Sequence, residues 1–276
     1  MQRLFAADGR CFDLAMDHGV FHNPEFLAGI EDLPASVALA VEGGPDAIQL
    51  GIGQAHLLQE IPGKSKPSLV LRIDVANVYG KDLPEQLFCH TLGHAIEQAL
   101  RVDAAAVVLN LFDAPGRTEL YRQCVANIAA VKPECEGFGM PLMIEPLALK
   151  DGRHGNYESA GDVERIVPLV RQAAELGADL IKCDPPDEAA DFERVVEAAS
   201  GRPVLARGGG RLPEEEIFRR TRELMEAGAS GIVYGRNVIQ NPRPKAMIEA
   251  FLAIVHGSAE WEEALALYHG ASGLRA

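Results

Sequence analysis

The segment DVERIVPLVRQAAELGADLIKCDPP (residues 162–186) contains one complete helix-to-strand unit and decides the fold class. Between residues 162 and 178, apolar side chains recur at spacings of three and four, which predicts an amphipathic helix closed by a Gly-Ala pair. The apolar run DLIK (179–182) follows at once and predicts a short strand that is covered on both faces. A strand reached through a helix is the repeating unit of parallel α/β folds.

The same unit recurs along the whole chain. Short apolar runs predict eight strands, at residues 11–16, 46–50, 69–73, 106–110, 142–145, 179–182, 203–206 and 231–234. Eight strand–helix units in about 250 residues match a (β/α)8 TIM barrel in count and length. A doubly wound sheet is less compatible, because the turn after the first strand, MDHGVFHNP, lacks the GxGxxG pattern of that fold.

We therefore predict an α/β protein with one TIM-barrel domain spanning residues 1–276. The segment SAEWEEALALYHG (258–270) predicts an extra helix near the C terminus, for which Ser258 is a candidate N-cap. Trp261 and Tyr268 on this helix are expected to pack onto the barrel or onto a neighbouring subunit.

The composition is that of a soluble globular protein, with 47% hydrophobic and 24% charged residues. The formal net charge of −14 argues against nucleic-acid or anionic-membrane binding, since both need a positive surface, but it leaves room for a local site that binds a small anion. No run approaches the roughly 20 apolar residues of a membrane span, and the N terminus lacks a signal pattern. Five scattered cysteines without a CxxC pair favour a reducing, cytoplasmic location.

Polar side chains stand at the ends of the predicted strands, where TIM barrels carry their chemistry. In chain order they are Asp17, His18, Arg72, Asp74, Asn110, Glu145, Lys182, Arg207 and Arg236. Each of them alone is explained by a cap or a salt bridge at the rim. Charged groups on one rim are costly to desolvate unless they are paired or used, so the set of Asp17, Glu145 and Lys182 is the strongest candidate for catalysis.

Lys182 at the end of the sixth predicted strand has two interpretations. As a neutral amine it could attack a carbonyl and form a Schiff base, which then acts as an electron sink. Glu145 would be its general acid/base, and either Glu145 or Asp17 would take a substrate hydroxyl proton as the C–C bond breaks. Alternatively, Lys182 is only the ion-pair partner of Asp17 or Glu145, and the pattern leaves both interpretations open.

Two glycine-containing loops predict an anion site. RGGG (207–210) follows the seventh predicted strand and YGRN (234–237) follows the eighth. The loops at these positions of TIM barrels commonly hold a phosphate, because glycines let backbone N–H groups approach an anion. Arg236 can add a charge-assisted contact. We therefore predict a phosphorylated small-molecule substrate.

Four segments together resemble the class I aldolases of the DeoC/FbaB superfamily, which includes the archaeal-type fructose-bisphosphate aldolases. They are AMDHG (15–19), LGADLIKCDPP (176–186), VLARGGG (204–210) and AGASGIVYGRNVIQNPRPKAMIEAFLAIVHG (227–257). The resemblance runs along nearly the whole chain. It implies Lys182 as the Schiff-base lysine and Asp17 as the acidic residue after the first strand. It also implies a phosphate site formed by Gly208, Gly209, Gly235 and Arg236. From their positions at the strand ends, Arg72 and His18 are further candidate substrate contacts.

The fifth strand departs from the archaeal-type pattern. Those aldolases place a proton-transferring tyrosine after this strand, whereas MIEPLALKDG (143–152) has Leu147 at the matching position. The segment is more similar to the tagatose-bisphosphate aldolases, in which a glutamate at the end of the strand does this work. Glu145 stands at that position.

Other polar residues receive structural interpretations. The resemblance places His90 and His94 (HTLGH) within the helix after the third strand, away from the rim, and no carboxylate stands between them as in an HExxH metal site, so a structural role is expected. Cys183 alternates to the strand face opposite Lys182 and is expected to pack.

The leading hypothesis is a metal-independent class I aldolase that acts on a phosphorylated ketose and needs no cofactor. Three alternatives remain: an acyl-transfer enzyme on a phosphorylated hydroxy-diketone, a metal-dependent aldolase that uses histidines, and a phosphosugar-binding barrel without turnover. The resemblance also implies a homo-oligomer.

Overall fold

The computed structural model describes residues 1–63, 65–80, 83–152 and 156–270. The strands are β1 Cys11–Ala15, β2 Ala47–Gly51, β3 Ser68–Arg72, β4 Asp74–Ala76, β5 Cys89–Thr91, β6 Ala106–Asp113, β7 Leu142–Asp151, β8 Tyr157–Ser159, β9 Leu180–Cys183, β10 Val204–Arg207 and β11 Gly231–Tyr234. The helices are α1 Leu33–Gly43, α2 His56–Gln59, α3 Ala95–Arg101, α4 Thr118–Phe138, α5 Val163–Glu175, α6 Phe192–Ala198, α7 Glu214–Glu226, α8 Arg236–Ile239, α9 Pro244–Val255 and α10 Trp261–His269.

The main sheet is a closed parallel barrel. Its strands follow one another in the order β1, β2, β3, β6, β7, β9, β10 and β11, and β11 pairs with β1 to close the ring. Helices connect the strands on the outside, as a right-handed strand–helix–strand connection requires. The predicted (β/α)8 TIM barrel is confirmed.

Side chains along each strand alternate between two apolar layers. On β9 the side chain of Leu180 belongs to the cluster inside the barrel, whereas Ile181 and Cys183 belong to the cluster between the barrel and its helices. Helix α5 presents Ile166, Leu169, Val170 and Ala173 to this outer layer. The alternation confirms that Cys183 packs on the opposite side of β9 from Lys182.

Two strands and two hairpins extend beyond the prediction. β6 and β7 continue to Asp113 and Asp151, past the predicted ends at residues 110 and 145. The outer part of β7 pairs with β8 in an antiparallel hairpin, and β4 pairs with β5 in a second hairpin beside the rim. Both hairpins stand at the C-terminal end of the barrel and form walls around its mouth.

The second hairpin corrects the prediction for the two histidines. His90 lies on β5, where it pairs with Val75, and His94 immediately precedes α3 with a φ of 51°. Neither residue is inside the helix. The four-residue spacing that suggested one helical turn instead spans a strand and a helix start.

The extra C-terminal helix is present as α10, but its predicted cap is wrong. Glu260 is the N-cap, and it forms a reciprocal capping box with Glu263. Ser258 has a φ of 55° and accepts a hydrogen bond from Arg10 instead. Tyr268 packs against the Phe218 ring of α7, so the helix is anchored to the barrel shell.

Among the described ranges, no helix has both the length and the apolar character needed to cross a membrane.

Candidate active site

Lys182 projects from β9 into the mouth of the barrel and is only 4% exposed. Its Nζ lies 3.1 Å from Oε2 of Glu145 and 3.4 Å from Oε1 of Gln49. Glu145 comes from the neighbouring strand β7, because Ile144 and Ile181 pair in register and place the next side chains side by side. The predicted lysine and glutamate are therefore in direct contact.

Glu145 is surrounded by cations. Its Oε2 also accepts a hydrogen bond from Nη2 of Arg72, and its Oε1 lies 3.0 Å from Nε of Arg207. Burial raises the pKa of Glu145, but Lys182, Arg72 and Arg207 outweigh burial and hold the pKa well below its ordinary value. The carboxylate is ionised in the resting site.

Arg72 joins three carboxylates and is 1% exposed. Its Nε donates to Oδ2 of Asp17 at 2.7 Å, its Nη1 donates to Oδ1 of Asp74 at 3.1 Å, and its Nη2 donates to Glu145. A buried guanidinium is tolerated because its donors are matched by carboxylate acceptors. The predicted contact between Arg72 and the substrate stays a prediction, and the hydrogen-bond partners of Arg72 in the structure are carboxylates.

Asp17 is the second predicted carboxylate at the site. Asp17 accepts one hydrogen bond from Arg72 and a second, at 2.6 Å, from Nε2 of Gln49. The oxygen of the same Gln49 amide faces Nζ of Lys182. Burial raises the pKa of Asp17, but the positive charges of Arg72 and Lys182 lower it by more, so the pKa lies below its ordinary value. Gln49 therefore links the two predicted catalytic residues Asp17 and Lys182.

Asp13 lies in the barrel interior, two residues before Ala15 on the inward face of β1, and is completely buried. Neither of its carboxyl oxygens has a hydrogen-bond partner among the described residues. Burial raises the pKa of Asp13 to about 7, although Lys182 and Arg72 act in the opposite direction. Asp13 is thus a neutral acid over most of the acidic range.

His18 follows β1 on a short 3-10 helix and packs its ring edge-on against Phe26. Burial lowers the pKa of His18 to about 4, so the imidazole is neutral at ordinary pH. The ring also contacts the loop after β11: a Cβ on Gly235 would lie 2.4 Å from Cε1 of His18 and 2.7 Å from the carbonyl oxygen of Ala15. Only glycine fits at residue 235, and His18 is brought to the predicted phosphate loops.

The two glycine loops lie side by side. The Asn237 side chain donates to the carbonyl oxygens of Gly208 and Gly210, and Nη2 of Arg236 donates to Gly209 at 2.8 Å. A Cβ on Gly208 would lie 2.8 Å from the Tyr234 ring. The N–H of Gly208 already donates to Val233 at 3.2 Å, so this glycine shapes the loop.

Arg236 carries the positive charge at these loops. Its guanidinium stacks on the Phe26 ring, with Cζ 4.8 Å from the ring centroid. This contact and the hydrogen bond to Gly209 hold the side chain over the loops. The structure thus brings together the predicted set of Gly208, Gly209, Gly235 and Arg236.

Besides Gln49, three residues at the mouth were missed as site residues: Asp184, Tyr79 and Ser159. Asp184 accepts hydrogen bonds from Arg207 at 2.7 Å and from the Ser159 hydroxyl, and the Tyr79 hydroxyl lies 3.5 Å from Nη2 of Arg207. Asp184 could have been noticed as a carboxylate two residues after Lys182. Tyr79 and Ser159 come from the loop after β4 and from β8, and no strand-end pattern marks them.

A cavity of about 380 Å³ opens between these walls. It is bounded by the glycine loops, Arg207, Tyr79 and the β7–β8 hairpin. A smaller cleft, of about 30 Å³, reaches Lys182, Glu145 and Asp17 and shares Arg207 and the glycine loops with the cavity. The cavity and the cleft therefore meet at Arg207 and the glycine loops.

Within the part of the chain that the structure describes, no three side chains of histidine, cysteine, aspartate or glutamate form a cluster suited to a metal ion. His90 instead stacks on Phe88, and its Nδ1 lies 3.2 Å from the Gln123 amide.

The sequence profile of the DeoC/LacD family aldolases matches residues 11–241. An uncharacterised aldolase of Saccharolobus solfataricus is 32% identical over 96% of both chains. The 2-amino-3,7-dideoxy-D-threo-hept-6-ulosonate synthase of Halobacterium salinarum is 28% identical over 95% of this chain and 92% of its own.

Solved structures agree with these relatives. An archaeal fructose 1,6-bisphosphate aldolase superimposes with a TM-score of 0.75 at 26% identity, covering 92% of this chain and 97% of its own. Another solved structure, of an archaeal fructose-1,6-bisphosphate aldolase with its catalytic lysine covalently bound to the carbinolamine intermediate of the substrate, gives a TM-score of 0.73 at 25% identity and covers 92% of this chain and 96% of its own. With a profile that spans most of its length, this chain belongs to the DeoC/LacD family of aldolases.

Proposed function

We propose that the protein is a class I aldolase that cleaves or forms a C–C bond in a phosphorylated ketose, with Lys182 as the Schiff-base nucleophile. The observation that carries this proposal is the buried contact between Lys182 and the ionised Glu145 at the base of a cavity edged by glycine loops. The archaeal relative with a lysine-bound carbinolamine supports it, as does family membership. Fructose bisphosphate, tagatose bisphosphate and related deoxy-keto sugar phosphates are the proposed substrates.

The first step is formation of the Schiff base. A proton passes from Nζ of Lys182 to Glu145 across 3.1 Å, and the free amine attacks the substrate ketone. Among the charges that lower the pKa of Glu145, Lys182 is the largest, so loss of its proton restores much of the proton affinity of the carboxylate. Glu145 then protonates the carbinolamine hydroxyl, water leaves, and the iminium on Lys182 faces a carboxylate again.

The next step uses the iminium as an electron sink. The electron pair of the breaking C–C bond moves to the iminium, an aldehyde leaves, and an enamine remains on Lys182. Protonation and hydrolysis of the enamine release the second product. Asp17 accepts hydrogen bonds from both Arg72 and Gln49, and these bonds hold the three side chains in place while the charge on Lys182 changes.

The phosphate of the substrate would bind at Gly209, Gly235 and Arg236. The neutral His18 packs behind Gly235 and adds no charge there, so Arg236 is the cation that faces the anion. Binding the phosphate at this edge holds the ketone near Lys182, which lowers the entropic cost of the attack.

The test is reductive trapping. Sodium borohydride should leave a substrate-dependent mass adduct on Lys182 during a screen of fructose-, tagatose- and inositol-derived phosphates, and the Lys182→Ala variant should give none. Equal trapping in both proteins would remove the proposal. A phosphosugar-binding barrel without turnover would bind phosphate but yield no adduct, and an acyl-transfer enzyme would form acyl-coenzyme A when coenzyme A is supplied.

We also propose a cytoplasmic location, which the five buried and unpaired cysteines support, since free thiols persist in reducing compartments. The homo-oligomer remains a prediction from the family resemblance.

A further inference from the structure

In the resting site the carboxylates beside Lys182 are ionised, and the proton that Glu145 takes from Lys182 goes to the carbinolamine hydroxyl, so none is left for a second substrate oxygen. Glu145 contacts Lys182, Arg72 and Arg207, and Asp17 accepts hydrogen bonds from Arg72 and Gln49. The pKa values of both carboxyl groups lie below their ordinary values. Yet an aldehyde oxygen must gain a proton when the C–C bond forms, so a different group is needed at that position.

The other hydroxyl groups of residues that line the cavity are already hydrogen-bonded. The Tyr234 hydroxyl pairs with the Thr221 hydroxyl at 2.9 Å, and those of Ser159 and Tyr157 are used as donors. Ser159 donates its hydroxyl proton to Asp184, whose other oxygen accepts from Arg207. The Tyr157 hydroxyl donates to the carbonyl oxygen of Pro115 at 3.2 Å and accepts from Nε of Arg117. Both groups therefore stabilise the hairpin wall.

The Tyr79 hydroxyl is differently placed. Its ring is held edge-on or tilted against three phenylalanine rings, Phe21, Phe26 and Phe112, at centroid distances of 5.0, 5.1 and 6.2 Å. Its hydroxyl opens onto the cavity and faces Nη2 of Arg207 at 3.5 Å. Among the described residues the hydroxyl has no acceptor for its own proton.

Tyr79 is also a neutral acid. Burial raises the pKa of Tyr79 to about 12, although Arg207 acts in the opposite direction. The same Arg207 bridges to Glu145, so the phenol and the partner of Lys182 stand on either side of one guanidinium. A substrate that reaches Lys182 past Arg207 therefore passes the Tyr79 hydroxyl.

We propose that Tyr79 is a catalytic residue whose phenol donates a proton to the oxygen of the aldehyde half when the C–C bond forms. This inference rests on the proposed aldolase function. It assigns the second proton transfer to the loop after β4 instead of to Glu145 or Asp17.

The step balances as follows in the direction of condensation. The enamine carbon bonds to the aldehyde carbon, the C=O π pair moves to the aldehyde oxygen, and that oxygen takes the Tyr79 proton. The enamine becomes an iminium, and the phenolate stands beside the Arg207 guanidinium, which stabilises it. In cleavage the same step runs in reverse: Tyr79 first loses its proton to solvent water, and the phenolate, stabilised by Arg207, then takes the substrate hydroxyl proton as the electron pair of the C–C bond moves to the iminium.

The experiment compares Tyr79→Phe with the matched variant Tyr121→Phe. Tyr121 lies on α4, outside the cavity, and its hydroxyl contacts Gln172. Each protein is mixed with the best substrate of the retro-aldol screen, turnover is measured, and the adduct on Lys182 is reduced with borohydride and weighed. Phenylalanine keeps the packing with the three rings, and binding of inorganic phosphate checks that the site is intact.

We expect Tyr79→Phe to lower kcat by at least about 100-fold while KM and phosphate affinity stay near the wild-type values. In Tyr79→Phe, the adduct on Lys182 should have the mass of the uncleaved ketose. In the wild-type and Tyr121→Phe proteins, Lys182 should also carry an adduct with the mass of the ketone fragment that remains after cleavage. A kcat within about threefold of wild type would overturn the inference, as would loss of the adduct together with phosphate binding. Absence of any adduct in the wild-type protein would instead remove the proposed function itself.

Discussion

The Nζ atom of Lys182 lies 3.1 Å from Oε2 of Glu145, across the neighbouring strands β9 and β7. This contact places one proton between a nucleophile and its acid/base partner. Two arginines also hold Glu145, so the carboxylate is ionised in the resting site and is placed to take the proton that Lys182 loses and to return it to the carbinolamine.

Replacing the Glu145 carboxylate should therefore lower both the turnover rate and the stability of the protein. We expect Glu145→Gln to lower kcat by at least about 100-fold, because the amide cannot carry the proton from Lys182. The variant also leaves three cations, of which Lys182 and Arg72 are buried, without their shared anion, which should lower the free energy of unfolding by about 3–5 kcal/mol. Steady-state kinetics and urea denaturation measure the two effects.

The control for this variant is Glu175→Gln, which removes an exposed carboxylate paired with Arg171 at the end of α5. It should leave kcat unchanged and alter stability by less than about 1 kcal/mol. Equal kcat values for Glu145→Gln and wild type would exclude Glu145 as the proton-transfer group.

A methyl group at residue 235 should damage the phosphate site. We expect Gly235→Ala to weaken the binding of inorganic phosphate at least about tenfold, because its Cβ would meet the Ala15 carbonyl and the His18 ring and displace the loop. Isothermal titration calorimetry measures the loss. Gly210→Ala is the matched control, since a Cβ there has no described atom within 4 Å. Tight phosphate binding by Gly235→Ala would place the anion elsewhere.

The buried Asp13 should make stability depend on pH. In the unfolded chain its carboxyl ionises near pH 3.8, whereas in the folded protein it keeps its proton up to about pH 7. The folded state binds more protons between these values, so the contribution of Asp13 to stability falls as pH rises from about 4 to 7. The penalty is fully present above pH 7.

Asp13→Asn should remove this penalty, because a neutral amide replaces a carboxyl that must ionise. We expect the variant to gain about 2–4 kcal/mol over wild type at pH 8 and clearly less at pH 5, measured by urea denaturation. Asp103→Asn changes an exposed carboxylate and should show no such pH-dependent gain. A gain that is equal at both pH values would contradict a raised pKa at Asp13.

The cap of the C-terminal helix gives a prediction about stability alone. Glu260→Ala should lower the free energy of unfolding by about 1 kcal/mol, because α10 loses its N-cap and the capping box with Glu263. Ser258→Ala should be close to neutral, since Ser258 makes no capping bond. Thermal unfolding of both variants distinguishes the observed cap from the predicted one, and a larger loss for Ser258→Ala would reverse the assignment.

The barrel and its catalytic pair could be predicted because they depend on local patterns. Buried parallel strands are short and apolar, so their ends are visible in the sequence, and Lys182 and Glu145 each stand at such an end. Parallel strands bring their C-terminal ends to one rim, which places these side chains together without knowledge of the loops. The glycine loops were predictable for the same reason.

The residues that were missed depend on information that a single strand does not contain. Gln49 interrupts an apolar run, and only the register of β2 with its neighbours turns its side chain inward, since a shift of one residue reverses every side chain. Tyr79 and Ser159 belong to segments outside the barrel strands, whose conformation is set by contacts with distant parts of the chain. His90 was misplaced because a short hairpin strand has no periodicity of its own.

The continuous strand β7 has a consequence for how this aldolase could change its substrate. Glu145 lies near the middle of β7, and Leu149, four residues further on, lines the cavity where β7 pairs with β8. At about 3.3 Å per residue the two positions are about 13 Å apart on one rigid element. Substitutions in the β7–β8 hairpin would resize the compartment for the departing aldehyde while the proton-transfer carboxylate keeps its place. Substrate range and bond chemistry can therefore evolve separately along a single strand.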